Sequence, residues 1–271
     1  VFRLGIGSGY RVVNVFTEDH AALSGARDVE FANALNPERS WNVNLNWTKN
    51  IYAKQGYILN IDASVFYTYF NNRILPDYDT DPQKIIYDNL SGHAVSKGAT
   101  LNLRGLFSNG FQFNGGVTWI DAYIVENGVK ESPYLTENVM GTYQLTYNTE
   151  NGRATWDVTG NVVGPMRLPL LSDNDPRDPN SPWMHILNAQ YTHRWEAFEV
   201  FGGVKNILDF TPPANSIARS QDPFDTQVEF DSEGAPKATP ENPYALTFDP
   251  SYVYASNQGR RLFLGVRWQL D

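Results

Sequence analysis

Three carboxylates at alternate positions form the most distinctive chemical pattern in the sequence. Asp77, Asp79 and Asp81 stand at i, i+2 and i+4. This spacing resembles the first half of a calcium-binding loop, because Ca²⁺ is held by several oxygen ligands. Pro82 stands where such a loop needs glycine, which favours a solvated loop over a metal site. The three residues are metal-ligand candidates, and a loop-bound Ca²⁺ is the one cofactor suggested; the acidic stretch 172–180 presents the same two alternatives.

Aromatic and arginine side chains in the connecting segments form a second group of candidates. Rings and guanidinium groups together suit the binding of a polar ligand, because arginine offers a planar fork of donors and a ring offers contact area. Any exposed loop has similar residues, so the pattern is weakly specific. The substrate-binding candidates are Tyr10, Arg11, Tyr78, Arg167, Arg177, Phe224 and Tyr244.

The sequence carries no recognisable catalytic motif. Its four histidines are scattered at 20, 93, 185 and 193, with no zinc-protease, nucleophile-elbow, phosphate-loop or dinucleotide fingerprint. Cysteine is absent, which excludes disulfides and cysteine-ligated metals. A net charge of −9 argues against a nucleic-acid partner, which requires a basic surface. We therefore expect a protein that is neither an enzyme nor a nucleic-acid binder.

The elements that must position these candidates are β-strands. Mean hydropathy is −0.42, and no run approaches the 18 apolar residues of a membrane-spanning helix. The segment 41–47 reads W-N-V-N-L-N-W, with apolar residues on one face and asparagines on the other. In a membrane barrel the apolar face meets lipid and the polar face lines the lumen. A soluble sandwich is the alternative, although its strands are usually about 5–6 residues long.

Eight segments show this alternation, and the segments 1–7 and 198–207 bring the count to about ten strands, whose connections are short and long in turn. Tight periplasmic turns and long extracellular loops are typical of outer-membrane barrels, which places the C-terminus in the periplasm. Aromatic residues near strand ends predict girdles at the lipid headgroups. The predicted strands are 1–7, 41–47, 57–69, 99–107, 111–119, 139–147, 155–162, 187–195, 198–207 and 261–270. The predicted tight turns are 50–56, 108–110, 150–153 and 196–197, and the long connections are 10–39, 72–95, 121–137, 164–183 and 208–259.

Six apolar residues break the alternation by falling on the polar side. We expect them to pack against a plug or against neighbours in the lumen. They are Phe66, Phe70, Leu106, Ile120, Phe201 and Phe263.

Three stretches resemble TonB-dependent outer-membrane receptors, especially those of Bacteroidetes-type bacteria. One is G-S-G-Y-R-V-V-N-V-F-T-E at 7–18, followed by N-P-E-R-S-W-N at 36–42. The others are F-G-G-V-K-N-I-L-D-F at 201–210 and Q-G-R-R-L-F-L-G-V-R-W-Q-L at 258–270. Their order and spacing make the resemblance stronger than any single motif. It implies an all-β, transmembrane antiparallel barrel, of which residues 1–271 form the C-terminal portion with about ten strands of 22.

The resemblance also implies partners and a function. We expect the plug domain and the earlier strands to lie in other parts of the protein, and the rest of the barrel to cover the two edges that ten strands leave unpaired. The intact protein would import a scarce nutrient across the outer membrane of a Gram-negative bacterium, using the TonB complex. Its cargo would be an iron-siderophore, haem, cobalamin or another metal chelate. The alternatives are a glycan receptor of the same family, or a self-contained ten-stranded barrel that acts as an adhesin or a protease.

Overall fold

The computed structural model describes residues 1–12, 28–32, 35–53, 56–77, 80–81, 84–168, 170, 178–212, 228–232, 237–240, 243, 245 and 258–268. Its strands are β1 (Phe2–Arg11), β2 (Asp28–Phe31), β3 (Glu38–Ala53), β4 (Tyr57–Asn71), β5 (Ile74–Asp77), β6 (Lys84–Asn89), β7 (Gly92–Phe107), β8 (Phe111–Glu126), β9 (Val129–Glu131), β10 (Val139–Asn148), β11 (Ala154–Val163), β12 (Met184–Arg194), β13 (Phe198–Lys205) and β14 (Arg261–Trp268). Among these residues, none forms a helix long and apolar enough to cross a membrane.

Ten strands make one antiparallel sheet in the order β1-β3-β4-β7-β8-β10-β11-β12-β13-β14, and β9 pairs with the end of β8. Each of the ten predicted strands overlaps one of these ten, so the predicted fold class is confirmed. The four predicted tight turns also join consecutive strands, for example at Ser108–Gly110, where Gly110 has a φ of 84°. Positive φ suits glycine because it has no Cβ.

The alternation of apolar and polar faces continues from strand to strand across the sheet. Val43 lies opposite Ile6 on one side and Tyr67 on the other, and Trp156 lies opposite Tyr147 and Tyr191. The apolar face is nevertheless exposed: Trp41 is 60% accessible and Leu262 is 81% accessible. An apolar sheet face this large is stable only against another apolar medium, which is the situation of a lipid-facing barrel wall.

The polar face is held together by hydrogen bonds between amide and hydroxyl side chains. Asn42 Nδ2 donates to Thr68 Oγ1 at 2.7 Å, and Asn44 Nδ2 donates to Asn42 Oδ1 at 2.9 Å. Asn46 Nδ2 extends the chain to Asn44 Oδ1 at 3.1 Å. Such groups prefer water or one another, so this face suits a hydrated lumen.

Three of the apolar exceptions on the polar face lie over glycines of a neighbouring strand. The ring of Phe66 lies 2.9 Å from where a Cβ of Gly98 would stand, and Phe263 is similarly placed over Gly203. Phe201 covers Gly265. The expectation that such residues pack against lumen neighbours is therefore confirmed for these three, because each ring fills the space that its glycine leaves open.

Aromatic rings form a chain at the tight-turn end of the apolar face. Ring centroids are 4.4 Å apart for Trp156 and Tyr191, and 4.6 Å apart for Trp195 and Phe198. His193 lies between them, 4.3 Å from the ring of Trp195. Such rings are suited to the headgroup layer, where one side of the ring is wet and the other is apolar.

Replacing Gly98 with alanine is expected to lower the melting temperature of the full-length barrel. The added Cβ would collide with the backbone carbonyl of Trp119 and with the ring of Phe66, and overpacking of this kind costs about 1–3 kcal/mol. The measurement is thermal unfolding in detergent, followed by loss of the β-sheet circular dichroism. Gly141→Ala is the matched control, because the nearest atom to its Cβ is 3.5 Å away. Equal melting temperatures for the two variants would contradict this packing.

Candidate ligand-facing surface at the long connections

Two of the long connections fold together into a small separate sheet, here called the loop sheet (β2, β5 and β6). β2 pairs with β6 in parallel, although the two strands are more than 50 residues apart in sequence, and β5 pairs with β6 antiparallel. Its core consists of Ile74, Ile85 and Tyr87, and Tyr134 packs against them from the next connection. Ile85 is only 1% accessible, so this apolar cluster fixes the connections on top of the barrel wall.

Glu38 ties the loop sheet to the barrel wall. Arg11 Nε, at the end of β1, donates to Glu38 Oε2 at 2.8 Å, and the backbone N–H of Ile74 donates to Oε1 at 2.9 Å. The Glu38 side chain is only 7% accessible. A buried carboxylate is stable only when its oxygens are occupied in this way, so the contact fixes β1, β3 and β5 relative to one another.

Arg73 is a half-buried cation next to this contact. Its guanidinium carbon lies 5.3 Å from the centroid of the Phe70 ring, which gives that polar-face residue a cation–π partner. Burial lowers the pKa of Arg73 below its ordinary value, while the nearby Glu38 carboxylate raises it and Arg11 lowers it further. Among the described residues no carboxylate lies within 4.0 Å of its nitrogens. Arg73 therefore interacts with Glu38 at longer range and with the Phe70 ring, without a direct ion pair among the described residues.

Arg167 joins the fourth long connection to the third. It forms β-bridges with Tyr134 and Asn180, and its carbonyl accepts the N–H of Leu135 at 2.8 Å. Its Nη1 donates to Glu131 Oε2 at 2.8 Å, and its guanidinium carbon lies 4.3 Å from the Tyr134 ring centroid. Leu135 has a φ of 52°, an unfavourable conformation for leucine that the bridge holds in place.

A cavity of about 890 Å³ lies between the loop sheet and the end of β8. Both Arg73 and Arg167 line it, together with the ring of Tyr134. Its acidic residues are engaged: Glu126 accepts from the N–H and hydroxyl of Ser91, and Asp77 accepts from Thr80. A volume of this size suits a small-molecule ligand, and the mixed apolar and charged lining suits one with polar groups.

The described part of the chain includes five of the ten predicted site residues. Tyr10 is 79% accessible near the end of β1, and Arg11 beside it is engaged with Glu38 rather than facing a ligand. Arg167 and Asp77 both line the cavity. Asp81 lies near the start of β6, where its carbonyl accepts the N–H of Lys84 at 3.0 Å. The candidates outside the described residues are Tyr78, Asp79, Arg177, Phe224 and Tyr244.

The calcium site stays a prediction. Both carboxylate oxygens of Asp77 accept hydrogen bonds from Thr80, an arrangement that stabilises a turn without a metal. No cluster of three metal-binding side chains occurs among the described residues, and Asp79 lies outside them.

Two residues of this surface were not among the sequence candidates. Glu38 stands in the N-P-E-R-S motif, which pointed to the family but not to a role for the carboxylate. Arg73 stands directly before β5. The sequence around Arg73 does not mark it as a candidate, because Glu38 and Arg11, which act on its charge, lie in other segments.

Comparison with known families identifies the family to which the ten-stranded sheet belongs. The family model "TonB dependent receptor-like, beta-barrel" matches residues 1–207. The chain belongs to this family. Its members are outer-membrane receptors and transporters rather than enzymes, which agrees with the non-enzyme prediction at the level of the family.

Solved structures of TonB-dependent receptors share the fold of the chain. The pyoverdine outer membrane receptor FpvA from Pseudomonas aeruginosa PAO1 aligns with a TM-score of 0.62 and 13% identity, over 99% of this chain and 34% of that one. The FrpB iron transporter from Neisseria meningitidis aligns with a TM-score of 0.58 and 13% identity, over 98% and 37%. The copper transporter OprC aligns with a TM-score of 0.55 and 14% identity, over 78% and 32%.

The receptor chain therefore spans about a third of the length of each of these structures. At such low identity the likeness establishes the fold and leaves the cargo open. No curated protein sequence matches the chain.

Replacing Glu38 with glutamine is expected to loosen the loop sheet. The substitution removes the charge that Arg11 and Arg73 face, and weakening a charge-assisted contact of this kind costs about 1–3 kcal/mol. In the full-length receptor, hydrogen–deuterium exchange at Ile74 and along β5 should become faster. Glu30→Gln is the matched control, because Glu30 pairs with Lys84 at an exposed position and should change the exchange little. Unchanged exchange in the Glu38 variant would show that this carboxylate does not hold the sheet.

Proposed function

We propose that the receptor chain is the C-terminal wall of a transporter that imports a metal chelate across the outer membrane. The family match over residues 1–207 is the observation that carries this proposal. The printed names of the similar structures support the cargo class, since they describe a pyoverdine receptor, an iron transporter and a copper transporter. An iron chelate fits two of these three names, so it is the first cargo to test.

The long connections form the extracellular mouth in this proposal, and the C-terminus lies in the periplasm. The tight turns at the opposite end support this orientation, because outer-membrane barrels have short periplasmic turns. The loop sheet and its cavity then stand where cargo arrives. Energy would come through the TonB complex, acting on a plug domain.

Four carboxylates and two arginines line the cavity, and within this lining Arg73 is the group that suits an anionic part of the cargo. Arg73 has no carboxylate within 4.0 Å among the described residues, whereas Glu126, Glu131 and Asp77 each have partners in the protein. A carboxylate or phenolate of a metal chelate would give Arg73 a direct, charge-assisted hydrogen bond in addition to the longer-range field of Glu38.

The experiment is uptake of labelled iron chelates by cells that depend on the full-length receptor for iron. Deleting its gene should abolish uptake of one chelate under iron limitation, and so should loss of TonB. Uptake that survives loss of TonB would contradict energised transport. If the deletion strain instead fails only to grow on a glycan, the result favours the glycan receptor.

Replacing Arg73 with alanine is expected to raise the KM for that chelate about tenfold, because a hydrogen bond to a charged group contributes about 1.5–3 kcal/mol. Transport at saturating chelate should change less. Arg153→Ala is the control, since Arg153 lies in the tight turn before β11, at the opposite end of the wall. A KM equal to that of the control would remove Arg73 from the binding surface.

A further inference from the structure

The outward surface of β7, β8 and β9 carries two lysines around one tyrosine ring. The Lys130 ammonium lies 3.9 Å from the centroid of the Tyr123 ring, and the Lys97 ammonium lies 5.8 Å from it. Both distances fall within the range of cation–π contacts, which orient the two charges toward the same face of the protein.

This cluster lies on the opposite side of the wall from the cavity. Val129 and Glu131 alternate with Lys130 along β9, and both line the cavity. Lys130 therefore points away from it. Tyr123 shares its face of β8 with Val117 and Trp119, which belong to the exposed apolar face of the sheet. The lysines thus continue the lipid-facing surface and do not belong to the proposed transport site.

The height of the cluster matches the lipid headgroups. From Phe111, in the aromatic chain at the tight-turn end, to Asp121 the strand advances ten residues. At a rise of about 3.4 Å per residue and a tilt of about 40°, this step covers about 26 Å, close to the height of the apolar band of an outer-membrane barrel. Asp121 forms an ion pair with Lys97 at 3.2 Å, and Tyr123 stands about 5 Å further on, within the headgroup layer.

The charge of Lys130 is not balanced by a described carboxylate. None lies within 4.0 Å of its ammonium, and its recorded contact is the ring of Tyr123. Lys97 is already paired with Asp121, so Lys130 carries the uncompensated charge of this cluster among the described residues. An ammonium group in this layer attracts a phosphate.

A shallow apolar groove runs along the same face below the cluster. Its volume is about 260 Å³, and its lining includes Leu101, Leu103, Val117 and Val162. Gly115 and Gly141 also line it and contribute no side chain that would fill it. A groove of this composition suits an acyl chain. The lysines lie above the groove, so a lipid could place its acyl chain in the groove and its headgroup at the lysines.

We propose that Lys97, Lys130 and Tyr123 bind the phosphate of a membrane lipid whose acyl chain lies in the groove at Gly115 and Gly141. The lysines contact the phosphate oxygens and the tyrosine ring holds the lysines in place. A lipid is favoured over a soluble anion because the apolar groove continues the same surface. The inference depends on the membrane-facing wall and not on the cargo.

The experiment measures binding of phosphatidic acid, whose headgroup is a bare phosphate, to the full-length receptor by native mass spectrometry from detergent. The wild type should retain phosphatidic acid in preference to phosphatidylcholine. Since a lysine near an anionic surface contributes about fivefold in affinity, Lys130→Gln should weaken retention about fivefold. Adding Lys97→Gln should weaken it further but by less, because Lys97 is already paired with Asp121. Lys84→Gln is the matched control, because Lys84 lies in the loop sheet and is bonded to Glu30.

A second variant, Gly141→Leu, tests the groove without changing any charge, and it should also weaken retention of the lipid. Heat-modifiable mobility on gels confirms that each variant is folded. Retention by the double lysine variant equal to that of the Lys84 control would overturn the proposal. Displacement of the lipid by millimolar inorganic phosphate alone would also overturn it, because the site would then recognise a free anion. Chelate uptake is a separate readout, so failure here leaves the transport proposal intact.

Discussion

Every backbone N–H and C=O in a wall that faces hydrocarbon must find its partner within the protein, because no water is available there. The continuous antiparallel ladder from β1 to β14 meets this requirement for each inner strand. It also forbids a slip of one residue, since that would turn every apolar side chain toward the lumen. β1 and β14 pair on one side only among the described residues, so they are where the rest of a closed barrel would join.

The same ladder of paired strands supports the candidate ligand-facing surface at the long connections. β3, β4, β7 and β8 have 15 or 16 residues, more than the about 9–11 that cross a bilayer at a tilt. Because their turns are held together at one end, the extra length projects at the other. Glu38 and the apolar core around Ile85 then fix the loop sheet on this projecting platform. The position of the cavity thus follows from strand length and from one buried carboxylate.

Period-two alternation predicted eight of the ten wall strands, because each face of such a wall meets a uniform medium and the pattern is local. It could not predict the loop sheet, since β2 and β6 pair across more than 50 residues and neither is long enough to show a period. The candidate site was harder to predict from the sequence than the strands were. Residue type named Arg167 and Arg11 as candidates, and the structure places Arg167 at the cavity and pairs Arg11 with Glu38. Arg73 was not a candidate, because its burial and its contact with the Phe70 ring follow from the fold and not from composition.

The parallel pairing of β2 with β6 has a consequence for the evolution and engineering of specificity. Exchanging the first long connection for that of a related receptor would leave β6 paired with β5 alone and would remove the Phe31 ring that contacts Tyr87, unless the second connection were exchanged with it. These two segments therefore form one structural unit. Exchanging both segments together would change the candidate ligand-facing surface in a single step. A change to one segment alone has to preserve the pairing of β2 with β6.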